Sequence, residues 1–598
     1  MNYHLEKLQR SLSPAALFPQ KPLIRFASHP GHCPRCGGAK QVWKTHTREV
    51  VTLGIGHFTA HETQTYCPGC TDQGIFLAEE LQQLVPAGAR YGYDIIVTVG
   101  QALFLHCRNS KQIQQELYTK NIQISLREID YLGRRFIIYL TWVHEQSQDK
   151  IKQFMGTLGG YILHLDGTCE GDSPHLMSTI DERSKMVLDN IKIPTENAAQ
   201  LIPFLRKIQQ AYGDPVALVH DMGAAILKAV EEVFPGVPDY ICHFHFLKDI
   251  GKDLLERDYS TIRRHLKSYR IRSQLRKMMK EIRQAIMDDP NAQQCLHDYL
   301  ESRQLDEPDT PLRPLVAVYL ILSWVLEAKS ESNGFGFPFD RPHLDFYLRL
   351  QESYPKFKVL KQRMGSDASL LPLILIGKTL SDQALSTTVL RMLDGVRVFD
   401  QLRDVMRIAQ PDSQDGLNDE GDADITTIKR RLTLFRHSED IKNRSVTTVA
   451  YRKMVKQIDK YWDKLFADPI QVNTRTGSML VRPQRTNNIL EQFFRDLKRN
   501  GRKRSGHHHL SKTLKTMLAQ TPLVKNLDNP HYMEMILNGK AHLAERFAEI
   551  DIVQVRKVFA ETQIMTQKYP KRMAEVFRIP HLPQRLLVEI PEKKAENL

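Results

Sequence analysis

Long apolar runs are missing from this chain. The longest, residues 315–326, is twelve residues and contains Tyr319 and Ser323, whereas a membrane-spanning helix needs about 20. The opening MNYHLEKLQRSLSP has no apolar centre and no small-residue cleavage site, so no signal peptide is expected. Cysteine is sparse, eight in 598 residues, which excludes a disulfide scaffold and fits a reducing, cytoplasmic setting. Acid is in deficit: 69 Asp and Glu face 83 Lys and Arg, a net charge of +14. A basic chain without a membrane element points to nucleic acid as its polyanionic partner. No internal repeat is visible, and the length exceeds what one hydrophobic core supports, so several domains are expected.

Half of the cysteines come as two CxxC pairs, Cys33-Pro-Arg-Cys36 and Cys67-Pro-Gly-Cys70. Each pair makes a tight knuckle that aims two thiolates at one point. Two knuckles complete a closed tetrahedral site for structural Zn2+. The residues between them alternate and are β-branched (Val50, Val51, Thr52, then Phe58 and Thr59), which predicts short strands and a zinc ribbon over 31–85. A redox pair is the competing reading of CxxC. Residues 1–30 read as a loose leader.

From 86 to 150 the pattern turns helical. SKQIQQELYTK (110–120) and SLREIDYLGRRF (125–136) predict two helices joined by a short turn, the second opened by the capping box Ser125-x-x-Glu128. Ile129, Leu132 and Phe136 share its buried face. Arg127, Arg134 and Arg135 lie elsewhere and suit phosphate or base contact, as in a helix-turn-helix. An ordinary helical hairpin with solvated arginines fits the same pattern.

Residues 158–246 alternate strand and helix. Strands are predicted at 161–166 (YILHLD), 175–181, 185–193, 216–221 (VALVHD) and near 239–244, with helices at 195–212 and after 221, which indicates a mixed sheet flanked by helices. Asp166 and Asp221 each end an apolar strand, at the sheet rim where open α/β folds place their sites. One such Asp is most often a turn or cap residue. Two on neighbouring strands converge, and their repulsion calls for cations, with Mg2+ (or Mn2+) preferring oxygen ligands. Residues 247–470 read as almost wholly helical, broken by an acidic stretch at 411–424. Aromatics concentrate at Trp324 and over 333–347, where helical core or stacking on unpaired bases would use them. RTNNILEQFFRDLKR (485–499) is an amphipathic helix with Asn487, Asn488, Glu491 and Arg495 on its polar stripe and Lys498 two turns beyond Glu491. A basic turn follows, with Arg502, Lys503 and Arg504 available to DNA.

Taken in order, LDGT, VHDMG, DYICHFHFLKD and RTNNILEQFFRDLKR resemble the successive motifs of Mutator-like transposases and of the related bacterial ISL-three-type transposases. The resemblance spans about residues 31–550. It implies a multidomain α/β plus α fold: an RNase H-like mixed-sheet core interrupted by a large all-α insertion and preceded by the zinc ribbon and helix-turn-helix. The boundaries it implies are core at 158–246 and 475–520, insertion at 247–474, and a helical C-terminal region at 521–598. Asp166, Asp221 and Glu491 would be the DDE residues, holding two Mg2+ ions. Cys242 and His245 match the family's CxxH element, read as shaping the core beside the site. The implied function is cutting and joining of DNA at a mobile element's terminal repeats, by a homodimer or larger assembly in a bacterial, nucleoid-associated setting. A domesticated, non-enzymatic DNA-binding regulator and a nuclease without strand transfer are the alternatives.

Overall fold

The computed structural model describes residues 21–28, 31–70, 74–302, 313–328, 334–364, 371–409 and 425–566, together with 576, 579–582 and 585. It is a mixed α/β structure with a helical majority. The acidic stretch at 411–424 and residues 1–20 of the expected leader lie outside the described residues.

The first sheet contains β1 (Leu23–Ala27), β2 (Gln41–Thr52), β3 (Gly56–Tyr66) and the short β4 (Ile75–Phe76). β2 and β3 form an antiparallel hairpin, and β1 joins β3 in parallel. The stretch expected to be a loose leader thus contributes a strand at 23–27. Its Phe26 joins Val50, Phe58 and Leu81 in a small core of its own.

Helices Tyr93–Phe104, Ser110–Thr119 and Leu126–Gln146 follow. Ser125 accepts the Glu128 amide at 3.1 Å and so caps the last of these. That helix runs ten residues past the expected end at 136, because Ile137, Ile138, Leu140 and Val143 keep supplying buried side chains. It crosses the helix Tyr93–Phe104 closely: a Cβ added at Gly100 would stand 2.0 Å from Cγ of Phe136. Only glycine fits there.

The second sheet has the order β7-β6-β5-β8-β9. β5 (Ile162–Thr168), β6 (His175–Asp181) and β7 (Val187–Ile193) are antiparallel neighbours. β8 (Ala217–His220) and β9 (Asp239–Ile241) extend the sheet in parallel from β5. Helices Ala198–Tyr212 and Ala224–Val233 make the connections. The β6–β7 turn is held by Asp181, whose carboxylate accepts the amides of Ile162, Arg183 and Ser184 at 2.8–3.1 Å. The last strand is shorter than expected: helix His243–Ser268 begins directly after Cys242.

From there to residue 465 the described chain is helical around its own core, which includes Phe246, Phe339, Phe399, Leu402 and Met454. Much of the aromatic cluster belongs to this core; Phe339 stacks on Phe244 at 4.7 Å and meets Phe399 at 5.6 Å. Trp324 is instead 41% exposed. A hairpin, β10 (Ile470–Thr474) and β11 (Gly477–Val481), intervenes before helix Asn488–Ser505. This last helix continues through Gly501 to Ser505, so the expected basic turn is helical.

The C-terminal segments return to the sheet and to the helices before it. Asn526 pairs its amide group with both backbone groups of Val187 on edge strand β7, each at 2.8 Å. Phe547 stacks on Tyr139 at 5.0 Å. Buried His144 meets Tyr532 Oη at 3.0 Å, the Leu188 carbonyl at 2.9 Å and Tyr212 Oη at 3.0 Å. One hydrophobic core therefore joins the 93–157 helices, the sheet and the C-terminal helices.

Candidate active site and metal centres

β5 and β8 lie side by side with Leu165 opposite His220. The next residue on each is an aspartate, so the register itself places Asp166 beside Asp221 at the carboxyl ends of two parallel strands. Asp166 is 7% exposed and accepts the Gly167 amide at 2.7 Å; Asp221 accepts the Met222 amide at 2.6 Å. Glu491 arrives from the first turn of helix Asn488–Ser505, where the helix dipole favours an acid. One turn into helix His243–Ser268, His245 reaches into the same space: its Nε2 is 3.4 Å from Glu491 and its Nδ1 is 3.9 Å from Asp221. Ligand atoms of Asp166, His245 and Glu491 all lie within 4.8 Å of one another.

The charges are strongly coupled to this crowding. Burial pushes the Asp166 carboxyl up to about 7, with repulsion from Asp221 and Glu491 adding to it and His245 opposing it. For His245 burial works against the charge, yet Cys242 and the carboxylates outweigh it and carry the imidazole up to about 10. Glu196 is raised as well, by burial and then by Asp221. It packs on the turn after β8, where a Cβ on Gly223 would stand 2.5 Å from its Oε1. A buried carboxyl crowded by two further acids belongs to a donor set suited to a divalent cation.

The helix carrying Glu491 is fixed to β5 by a buried network. Asn487 sits just before it, fully buried; its Oδ1 is 2.9 Å from His164 Nδ1, its Nδ2 donates to the Leu165 carbonyl at 3.0 Å and its backbone amide to Cys242 Sγ at 3.3 Å. His164 Nε2 meets Glu182 at 3.0 Å, and Glu182 accepts the Gln484 amide at 3.0 Å. Each ring nitrogen of His164 thus has a hydrogen-bond partner. Cys242 is thus a buried core residue, as expected, while its CxxH partner His245 stands among the carboxylates. Cys242 and His245 are marked by the CxxH resemblance; the helix that begins at His243 is unexpected, since the sequence predicts a strand to about 244. His164, Glu182 and Glu196 had no local signal.

Cys33, Cys36, Cys67 and Cys70 form a second cluster. Sγ–Sγ separations are 3.7 Å for Cys33–Cys70, 3.4 Å for Cys36–Cys67 and 3.5 Å for Cys36–Cys70. Zinc–thiolate bonds of about 2.3 Å put the edge of the tetrahedron at about 3.8 Å. The four sulfurs are therefore already close to a zinc tetrahedron's spacing. The Arg35 amide points at Cys33 Sγ at 3.4 Å, the hydrogen bond expected of a knuckle holding a thiolate.

The basic residues expected at DNA divide. Arg127 is exposed and Arg134 half-buried. Arg135 corrects the expectation: it is 6% exposed, bonded to Tyr139 Oη at 3.2 Å and enclosed by the rings of Tyr131 and Tyr139. Lys498 is 3.5 Å from Glu170. Arg502 and Lys503 are exposed, whereas Arg504 lies over the Phe104 ring at 5.2 Å, tying its helix to the earlier helical region. Among the described residues no helix is long and apolar enough to cross a membrane. Compared with protein-family models the chain matches none, and among curated proteins no match is found.

Proposed function

We propose that the chain is a DDE-type DNA transposase of the group its motifs resemble, with an RNase H-like core and a helical insertion between its second and third acids. The observation that carries this reading is the meeting of Asp166, His245 and Glu491, the two acids 325 positions apart in the sequence, with Asp221 3.9 Å from His245. The mixed sheet supports it, since Asp166 lies on the central strand and Asp221 directly follows its parallel neighbour. The three carboxylates would hold divalent cations. Their oxygens suit Mg2+ or Mn2+. Bound there, such cations supply the charge that activates an attacking oxygen and stabilises a leaving one.

In the reaction, a water oxygen bonds to phosphorus at the element end as the bond to the 3′ oxygen breaks. The water proton is released, and the 3′ oxygen takes up a proton to become a hydroxyl. That hydroxyl then attacks a target phosphodiester, losing its proton as the target's own 3′ oxygen leaves. Asp166, Asp221 and Glu491 orient the reacting groups, His245 balances their charge, and His164 with Asn487 sets the position of Glu491. No covalent enzyme intermediate is needed. The four-cysteine cluster would hold structural Zn2+, and the sheet around it, with Arg127 and Arg134, would meet the terminal repeats. Acting on two ends calls for a dimer or larger assembly.

The test uses duplexes carrying the DNA that flanks the coding sequence, incubated with Mg2+ or Mn2+. Wild type is expected to cleave one at a defined position and Asp221→Asn to leave it intact; equal behaviour of the two contradicts the reading.

A further inference from the structure

The helical region carries a second basic feature, unrelated to the arginines expected at DNA. Helices His243–Ser268 and Ile271–Met287 meet at Arg270, which adopts the left-handed conformation with φ +49°. The corner encloses a groove of about 870 Å3, lined by Arg263 and Lys267 from the first helix, by Arg270, and by Arg272, Arg276, Lys277 and Lys280 from the second. His343 and Phe346 also line it. Six of the seven cations are exposed; Arg272 is half-buried, its guanidinium 4.5 Å above the Phe346 ring.

These charges are poorly compensated. Among the described residues the seven make two ion pairs, Arg276 with Glu327 at 3.6 Å and Lys277 with Glu281 at 3.8 Å, and all four side chains are more than half exposed. Arg263 and Lys267 are spaced i, i+4, and so are Arg272, Arg276 and Lys280. Like charges at that spacing weaken a helix, so the folded chain bears a cost that an anion would relieve. The field is felt nearby: burial, then Arg272 and Arg263, keep His343 below the ordinary histidine range.

We propose that this corner binds the phosphate backbone of duplex DNA, as a contact separate from the carboxylate site. At 1.5 Å per residue, Arg272 to Lys280 alone spans about 12 Å of helix. Seven cations spread over two helices and their corner exceed what a single phosphate group can engage, and they match a polymer carrying one charge per about 1.7 Å of axis. The one aromatic face that would anchor an acidic peptide is already covered by Arg272. The choice of DNA rests on the transposase reading; the charged groove does not.

The experiment measures binding of the full chain to a random-sequence duplex by fluorescence anisotropy across a salt series. Each lost phosphate contact lowers the slope of log affinity against log salt by about 0.9. The triple variant Arg263→Gln, Lys267→Gln, Lys280→Gln should therefore lose about 3 units of slope and weaken binding equally for any duplex sequence. A second variant, Arg270→Gln with Arg276→Gln, should lose about 2. Thermal melts identify which variants are folded. An unchanged slope in a folded variant overturns the proposal, as does loss of binding to single-stranded RNA with duplex binding intact. The same slope change is expected in an Asp221→Asn background. Failure of the catalytic reading, seen as cleavage by Asp221→Asn, is thereby separable from failure of the groove.

Discussion

His164 and Asn487 stand 323 positions apart in the sequence and 2.9 Å apart in the fold, both fully buried. His164 belongs to the strand that carries Asp166, and Asn487 immediately precedes the helix that carries Glu491. Their hydrogen bond therefore sets the distance between two acids that nothing in the local sequence connects. Asn487 also satisfies the Leu165 carbonyl, next to Asp166.

Asn487→Ala should loosen Glu491 without removing it. The change strands a His164 nitrogen and the Leu165 carbonyl, costing about 1–3 kcal/mol of stability for each buried group left unpaired. Residues that orient metal ligands typically contribute about 10–100-fold in affinity, so Mn2+ titrated calorimetrically into the variant should bind weaker by that factor. Asn487→Asp, which keeps an acceptor for His164, should recover part of the loss. Equal Mn2+ affinity in Asn487→Ala and wild type would remove the positioning role.

The cysteine cluster predicts one zinc per chain in freshly purified protein, measured by elemental analysis. Chelation or Cys67→Ser should release it. Hydrogen exchange should then rise in β2 and β3, most at the Gln41–Tyr66 end that the two knuckles flank, while β5 and β8 stay protected. Less than one zinc per chain, or uniform exchange after its removal, contradicts a structural site.

Buried His144 gives a pH dependence of stability. Burial holds its imidazole below the ordinary value, despite the Leu188 carbonyl favouring the proton. The folded ring is neutral: Nε2–H donates to Leu188, and Nδ1 accepts from Tyr532. The unfolded chain therefore binds the extra proton first. Stability is full above about pH 6.5 and falls as pH drops below it, by at most about 1.4 kcal/mol per pH unit for one proton. Urea midpoints between pH 7 and 5 should fall more steeply for wild type than for His144→Asn, which cannot titrate there. Identical slopes would show that His144 does not control it.

How much of this was legible in the sequence differs by element. The apolar runs leading to Asp166 and Asp221 were legible as strands, and the pair rather than either acid alone pointed to a site, although the first strand runs on to Thr168. The cysteine spacing was legible for the same reason: two knuckles leave little choice. Glu491 was placed through family resemblance and not through spacing, since the long helical stretch hides the distance. The hairpin Ile470–Val481 went unseen because most of its residues are exposed and carry no alternating apolar pattern. Arg135 was assigned to the DNA side because it lies off the face shared by Ile129, Leu132 and Phe136; the helix continues past 136, and the rings of Tyr131 and Tyr139 enclose the arginine. The run from Lys498 to Gly506 looked like a turn, but Gly501 is tolerated inside the helix, where it faces Thr513 at close range.

The central claim is that Glu491 completes a phosphoryl-transfer site with Asp166 and Asp221. Its most direct test is a joining reaction. A duplex ending in the flanking DNA, with its 3′-hydroxyl already exposed, is incubated with a plasmid and Mn2+. Wild type should link that 3′ end covalently to the plasmid, and Glu491→Gln, with its fold and DNA binding intact, should not. Joining at the wild-type rate by Glu491→Gln, or none by wild type on either flank with either metal, would contradict the account.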